Sequence, residues 1–369
     1  MGVSVNTAVQ AIADNFASGG QCVSVQAFSR GHINDSYVVT CQTGAGTTRF
    51  LLQRINAFVF RTPALVMENI QRITAHLARG LAAERCCDAE RRALMLVPTH
   101  TGAASYCDAA GEHWRLFRYI EDTHGQLAVT CPEQAYAAGR AFGEFQSRLA
   151  DLPAPRLHET IPDFHNTPRR LEALEAAAAA DVCGRVAAAE SELTLARAQH
   201  TLAGTLCLLQ RAGLLPERVA HNDAKIDNVL FDATTGEALC VVDLDTVMPG
   251  PVLYDFGDMM RSMISRAAED EQDLSRVEVE LPLFEALAQG YLDATHTFLT
   301  QVEREHLVLS GQLITFEQGV RFLTDFLAGD RYYKTQRPRH NLDRCRAQFR
   351  LFESMVSRTG EMNAIVAKH

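Results

Sequence analysis

Near residue 120 the hydrophobic pattern of this chain changes period. Upstream, CVSVQAF, SYVVTC and RFLLQ carry strand signals, with a turn at Gly44–Gly46. TPALVMENIQRITAHLARGL follows at helical spacing, with Thr62 as N-cap and Pro63 at the first helical position. ALMLVPT and EHWRLFRYI add two more β-like stretches before the polar EDTHG. Downstream, PEQAYAAGRAFGEFQSRLADL, an Ala-rich segment from about 168 to 213, and stretches near 279–298 and 302–329 repeat as amphipathic helices. A small antiparallel sheet with one helix, then a mainly helical part, is the architecture this pattern allows.

At 369 residues and 47% hydrophobic, the chain is long enough for two such parts, each with its own core. A net charge of −10 argues against a nucleic-acid surface and leaves a small molecule as the expected partner. The N-terminus has no basic start or unbroken apolar core, and no apolar run reaches the ~18 residues of a membrane span. A soluble, cytoplasmic protein without a membrane partner is expected. The ten cysteines show no CxxC and read as reduced, packed thiols.

Inside the helical part lie two short apolar strands, VLFD (229–232) and ALCVVDLD (238–245), joined by ATTG. HNDAKIDN (221–228) precedes the first. Asp223 and Asn228 enter a strand and Asp243 ends the next, so two carboxylates and an amide can converge at one end of a hairpin. Phosphoryl transfer asks for such a set: an Asp to accept the hydroxyl proton, hard oxygen ligands for Mg²⁺, and a cation against the γ-phosphate. Asp223, Asn228 with Asp243, and Lys225 meet those needs in that order. Asp245 is a second acid that either binds metal or caps the next turn; His221 reads as a packed loop anchor and Asp227 as a solvated loop residue.

HNDAKIDN resembles the protein-kinase catalytic loop H-R-D-x-x-x-x-N, and VVDLD stands where that fold carries its magnesium-binding Asp. Added to these are GHINDSYVV, RFLLQRIN and PVLYDFGDMMRS, whose Asp255 matches a structural Asp of the aminoglycoside phosphotransferase and choline kinase-like families. The whole chain looks like that superfamily. Within it, GHINDSY, LLQRIN, HNDAKIDNVLFD, VVDLDTVMPG, YDFGD and FLAGDRYYKTQRPRHNLDRCRAQ are similar to the N-acetylhexosamine 1-kinase group over residues 20 to 350 or so. The resemblance implies an α+β, bilobal protein-kinase-like fold of aminoglycoside phosphotransferase type. A β-rich N-lobe would span 1–120 and a helical C-lobe 121–369. It further implies an ATP- and Mg²⁺-dependent kinase acting on the anomeric C1 hydroxyl of N-acetylglucosamine or N-acetylgalactosamine.

The resemblance also distributes roles. Asp223 would be the base with Lys225 beside the phosphate; Asn228, Asp243 and Asp245 would hold metal. Gly31, His32 and Asn34 would lie at the phosphate loop, where one glycine replaces the three of protein kinases. The strand lysine is missing, leaving Gln53, favoured by register, or Arg54, favoured by charge, with Glu68 as its pairing partner. Backbone near Phe117 to Tyr119 would meet the adenine edge. Asp330, Arg331, Tyr332 and His340 would form the sugar wall, since hydroxyls want hydrogen-bonding forks and a sugar's CH face wants an aromatic plate. Trp114 reads as core.

Rival readings are a metallohydrolase using His221, Asp223, Asp243 and Asp245, a catalytically dead nucleotide-binding module, and a kinase of an amino alcohol or aminoglycoside. The first has no use for a phosphate loop on a β-rich part. The second is favoured by the missing lysine and opposed by Asp223, Lys225, Asn228 and Asp243 all being present. The basic Arg331, Lys334, Arg337 and Arg339 lean against a cationic acceptor.

Overall fold

The computed structural model describes residues 5–28, 33–44 and 46–369. It divides into two compact units, the first made of residues 1–123, 151–162 and 239–248, the second of 124–150, 163–238 and 249–369. The chain therefore re-enters the first unit twice after leaving it, where the change of period suggested a single passage near 120.

In the first unit, α1 (Val5–Ala13) precedes strands β1 (Gly20–Phe28), β2 (Asp35–Thr43) and β3 (Gly46–Arg54). Helices α2 (Pro63–Ala83) and α3 (Ala89–Arg92) lead to β4 (Leu96–Val97), β5 (Tyr106–Cys107) and β6 (His113–Arg118). The sheet runs β1–β2–β3–β6–β4, with β5 also on β6, and its pairings are antiparallel. One face packs Phe50, Leu52, Trp114 and Leu116 against Val9, Ala13 and Phe16, so Trp114 is core as expected. Helix α2 starts at Pro63 as the sequence suggests, but Thr62 makes no side-chain cap.

β7 (Thr123–Gly125) opens the passage to α4 (Pro132–Leu149). The Ala-rich stretch is not one helix but α5 (Thr167–Ala180), α6 (Glu190–Ala198) and α7 (His200–Arg211). Asp181 breaks it: its φ of 36° ends α5, and its carboxylate accepts from the Arg185 and Val186 amides, 2.7 and 3.2 Å. β8 (Arg218–Ala220), β9 (Val229–Asp232), β10 (Ala238–Val241) and β11 (Met248–Gly250) follow, then α8 (Leu253–Met263), α9 (Leu281–Thr295) and α10 (Gln301–Glu305). The chain ends in α11 (Leu307–Ala328), α12 (His340–Ser357) and α13 (Thr359–Val366).

Helix α11 is buried around most of its circumference, so it forms the axis of the second unit rather than an amphipathic surface helix. Its Phe316, Val320, Leu323 and Phe326 pack with Leu171, Leu193, Leu342, Phe349 and Phe352. Two close helix crossings depend on glycine. A Cβ at Gly139 of α4 would lie 2.5 Å from the Leu287 carbonyl oxygen on α9, and one at Gly257 of α8 would lie 2.5 Å from that of Ser310 on α11. Among the described residues no helix is long and apolar enough to cross a membrane.

Candidate active site

The loop between β8 and β9 belongs to the second unit. Asn222 has a φ of 63°, a left-handed backbone that Asn tolerates better than most residues, and it turns the chain so that Asp223 keeps 30% of its side chain exposed. Lys225 Nζ lies 3.2 Å from Asp223 Oδ2. Asn228 Nδ2 donates to the Asp223 backbone oxygen and to Oδ2, both at 2.8 Å. Burial pushes the Asp223 carboxyl up, but attraction to Lys225 and His221 and the Asn228 hydrogen bond outweigh it and hold the group well below the usual carboxylate range. An ionised, reachable carboxylate is what a general base requires.

Asp255, at the first turn of α8, supports this loop. Its Oδ2 accepts from the His221 amide at 2.8 Å and from Gln146 Nε2 at 2.6 Å; its Oδ1 accepts from the Asn222 amide at 2.7 Å. The residue is 0% exposed, so it holds the loop and touches no solvent. Burial keeps its carboxyl above the usual range, against the pull of those donors. His221 is also fully buried, its ring edge-on to Phe142 and Phe145 at 5.4 and 5.7 Å. It is the packed anchor that its position suggests.

The acids after β10 belong to the first unit. Strand geometry stops at Val241 because Asp243 takes a left-handed φ of 61° and Leu244–Thr246 forms one 3₁₀ turn. Asp243 is exposed. Asp245 is buried and ion-paired with Arg115 Nη1, while its other oxygen accepts from Asn34 Nδ2 at 2.6 Å. Both carboxylate oxygens thus face protein donors, and Asp245 is a structural counter-charge rather than the metal ligand the sequence offered.

Arg115 was missed by sequence reading. Its Nε and Nη2 donate to Gln53 Oε1 at 3.0 and 2.8 Å, Gln53 Nε2 donates to Ser36 Oγ at 3.0 Å, and the guanidinium lies 5.2 Å over the Phe117 ring. Ser36, Gln53 and Arg115 are successive cross-strand partners. Arg54 faces the other way by strand alternation. It pairs with Asp35 and Glu112 near solvent, so the expectation that Arg54 stands in for the strand lysine is corrected: the buried cation beside Gln53 is Arg115. Glu68 pairs with His158 at 2.9 Å instead of with Arg54.

Gly31 and His32 lie outside the described residues. Asn34 is committed to Asp245 and to the Asn56 amide, 2.9 Å from its Oδ1, which ties the phosphate-loop sequence to the acid turn. At the expected adenine edge, the Arg118 amide donates to Met95 at 2.9 Å and the Tyr119 amide to Arg49 at 3.1 Å. Phe117 is buried and Tyr119 lies under the Arg49 guanidinium at 4.5 Å, so these two amides are engaged within the sheet rather than offered to a base.

The distal loop is held by Asp325, which sequence reading also missed. Its oxygens accept from the amides of Arg331, Tyr332 and Tyr333 at 2.9, 2.8 and 3.0 Å. Asp330 bonds Arg185 and Asn341, and buried His340 pairs with Asp270 and accepts from the Gln336 amide. His340, with both ring nitrogens engaged, is corrected from a sugar ligand to a loop fastener, and Asp330 fastens the same loop through one bond to each oxygen. Arg331 and Tyr332 are exposed. Two further guanidiniums stand in this unit. Arg321 lies 5.0 Å over Phe164 and 5.9 Å over Tyr333, and Arg170 donates to the Phe164 carbonyl. Burial lowers Arg321, but Tyr333, Tyr332, Glu317 and Asp223 outweigh it, so the Asp223 charge is felt there.

A β-sheet unit with a helical unit carrying the loop Asp223–Asn228 describes a kinase-like phosphotransferase. Residues 24–299 match the phosphotransferase enzyme family of the aminoglycoside phosphotransferase type, and the chain belongs to that family. The fold is similar to a microcompartment-associated aminopropanol kinase (16% identity, 97% of this chain and 98% of that one, TM-score 0.63). It is also similar to choline kinase from Cryptosporidium parvum (13%, 92% and 89%, 0.55) and to an amicoumacin kinase solved with AMP-PNP and Ca²⁺ (10%, 94% and 93%, 0.55).

Proposed function

We propose that this phosphotransferase is a sugar 1-kinase that transfers the γ-phosphoryl group of ATP to the anomeric hydroxyl of an N-acetylhexosamine. The observation that carries the reading is the ionised, reachable Asp223 in a unit that also presents Arg321 and Arg170 beside Phe164, Tyr332 and Tyr333. Planar donors and aromatic faces suit an oxygen-rich ring, and the two guanidiniums oppose a cationic acceptor such as choline.

In this reading Asp223 accepts the C1 hydroxyl proton as the oxygen bonds to the γ-phosphorus and the bond to the β-bridging oxygen breaks; ADP leaves with that electron pair. Lys225 carries charge beside the transferring group. Asn228 and Asp243 offer hard oxygen donors for Mg²⁺: the Asn228 amide nitrogen is turned to Asp223, which directs its oxygen the other way. Bound Mg²⁺ would neutralise phosphate charge. Gln53 and Arg115, in place of a strand lysine, hold the acid turn that bears Asp243.

The deciding experiment is ADP release from Mg-ATP with N-acetylglucosamine, N-acetylgalactosamine, glucose, galactose, choline, aminopropanol and kanamycin, with the phosphorylated carbon located by ³¹P–¹H correlation. Turnover of acetamido sugars at C1 supports the reading. Turnover of amino alcohols or aminoglycosides alone replaces the substrate, and nucleotide binding without any turnover favours the inactive module.

A further inference from the structure

Behind the Asp223 loop lies a buried group that the reaction does not use. His165 is 7% exposed and Glu317, on α11, 1%. His165 Nδ1 is 2.8 Å from Glu317 Oε1, and Nε2 is 3.1 Å from the backbone oxygen of Asn222. The second Glu317 oxygen accepts from Thr167 Oγ1 at 2.6 Å. A carbonyl oxygen can only accept, so Nε2 must carry a hydrogen. The carboxylate opposite Nδ1 is also an acceptor, so a second hydrogen must lie between Nδ1 and Oε1. A neutral imidazole beside an ionised carboxylate has one hydrogen too few for these two contacts.

We propose that His165 and Glu317 form a proton-holding dyad that fixes the Asn222 carbonyl, and through it the left-handed turn that presents Asp223. The inference rests on reading Asp223 as the base; His165 and Glu317 are positioning residues and touch no substrate. The extra proton sits as imidazolium against carboxylate. Burial pushes the Glu317 carboxyl up, but the charges of His165 and Arg321 and the Thr167 hydroxyl outweigh it and hold it below its usual range. The groups around the dyad are Arg321 on α11, Arg170 and Thr167 on α5, Tyr254 on α8 with its ring 4.8 Å from the imidazole, and Cys207 on α7, whose charge would bear on Glu317 and Tyr254. Removing the dyad's proton leaves the Glu317 carboxylate facing a lone pair and the Asn222 carbonyl with a weaker hold.

Two readouts test this. In ¹⁵N–¹H correlation spectra of the full chain at pH 7, with His165 assigned by comparison with His165→Gln, both ring nitrogens should show the protonated pattern. A neutral single tautomer overturns the dyad whatever the enzyme turns over. In kinetics with an accepted substrate, the near-isosteric Glu317→Gln should lower kcat by about 10-fold or more with the KM for Mg-ATP within about twofold. Unchanged kcat in Glu317→Gln, with the protonated dyad present in the parent, overturns the positioning role. If no acceptor turns over, the Asp223 reading fails while the spectra still decide the dyad.

Discussion

Arg115 and Asp245 meet as an ion pair with 1% and 3% of their side-chain surface exposed, 130 residues apart in sequence. Removing one charge leaves the other buried. Arg115→Met should cost about 3–5 kcal/mol, read from urea unfolding. Arg115→Lys should recover only part, because an ammonium cannot reach Gln53 and Asp245 as a planar fork does. A loss below about 1 kcal/mol for the Met variant would show that Asn34 alone satisfies Asp245.

Asp223→Asn should reduce kcat by about 10²-fold or more while leaving nucleotide affinity near that of the parent. The Asp223 carboxyl lies below the usual range, so it stays ionised as pH falls from 8 to 5, and kcat should show no acid limb from the base in that window. The linkage has the matching sign. Its contribution to stability is complete above the unfolded carboxylate value of about 3.9 and is lost as pH falls through the lower folded value. An acid limb near pH 6 that Asp223→Asn abolished would contradict the depressed carboxyl.

Asp255 receives three donors from two amides and Gln146, and an amide cannot accept all three. Asp255→Asn should cost about 1–3 kcal/mol by stranding one of them, and should lower kcat more than it changes either KM. Denaturant midpoints and steady-state kinetics on the same preparation check both halves. A stable variant with unchanged kcat would remove Asp255 as the support of the loop.

Two glycine substitutions should have opposite signs. Gly257→Ala drives a methyl into the Ser310 carbonyl and should cost about 1–3 kcal/mol. At Gly204 in α7 the added Cβ meets only Leu208 Cδ1, at 3.9 Å, so Gly204→Ala should stabilise by about 0.5–1 kcal/mol. An unchanged or raised thermal midpoint for Gly257→Ala would refute the close packing of α8 on α11.

Arg321→Met should raise the acceptor KM by about 10-fold or more and leave the Mg-ATP KM within about twofold. The reverse split would assign the guanidinium to the nucleotide.

What the sequence showed plainly was local. Strands β1 to β3 and helices α2, α4 and α11 lie where alternation or helical spacing puts them, because burial on one face or one stripe imposes a period on the chain. HNDAKIDN declared its chemistry because its spacing is short-range. What stayed hidden depends on partners distant in sequence. Arg115 reads as one charge among the apolar residues of EHWRLFRYI, and only cross-strand register sets it beside Gln53. His340 looked like a ligand because nothing local reveals that Asp270 occupies it. Asp181 ended a helix that propensity would have continued, since its left-handed turn outweighs the alanines before it.

The first unit draws residues 239–248 into itself, and with them the only carboxylate ion-paired to Arg115 among the described residues. A ribosome must therefore deliver about two thirds of the polypeptide before the β-sheet part can be completed. Until then the nascent sheet carries a cation without its anion, so the N-terminal part is not an autonomous fragment. A truncation ending near residue 125 should be digested by protease far faster than the same segment within the intact chain.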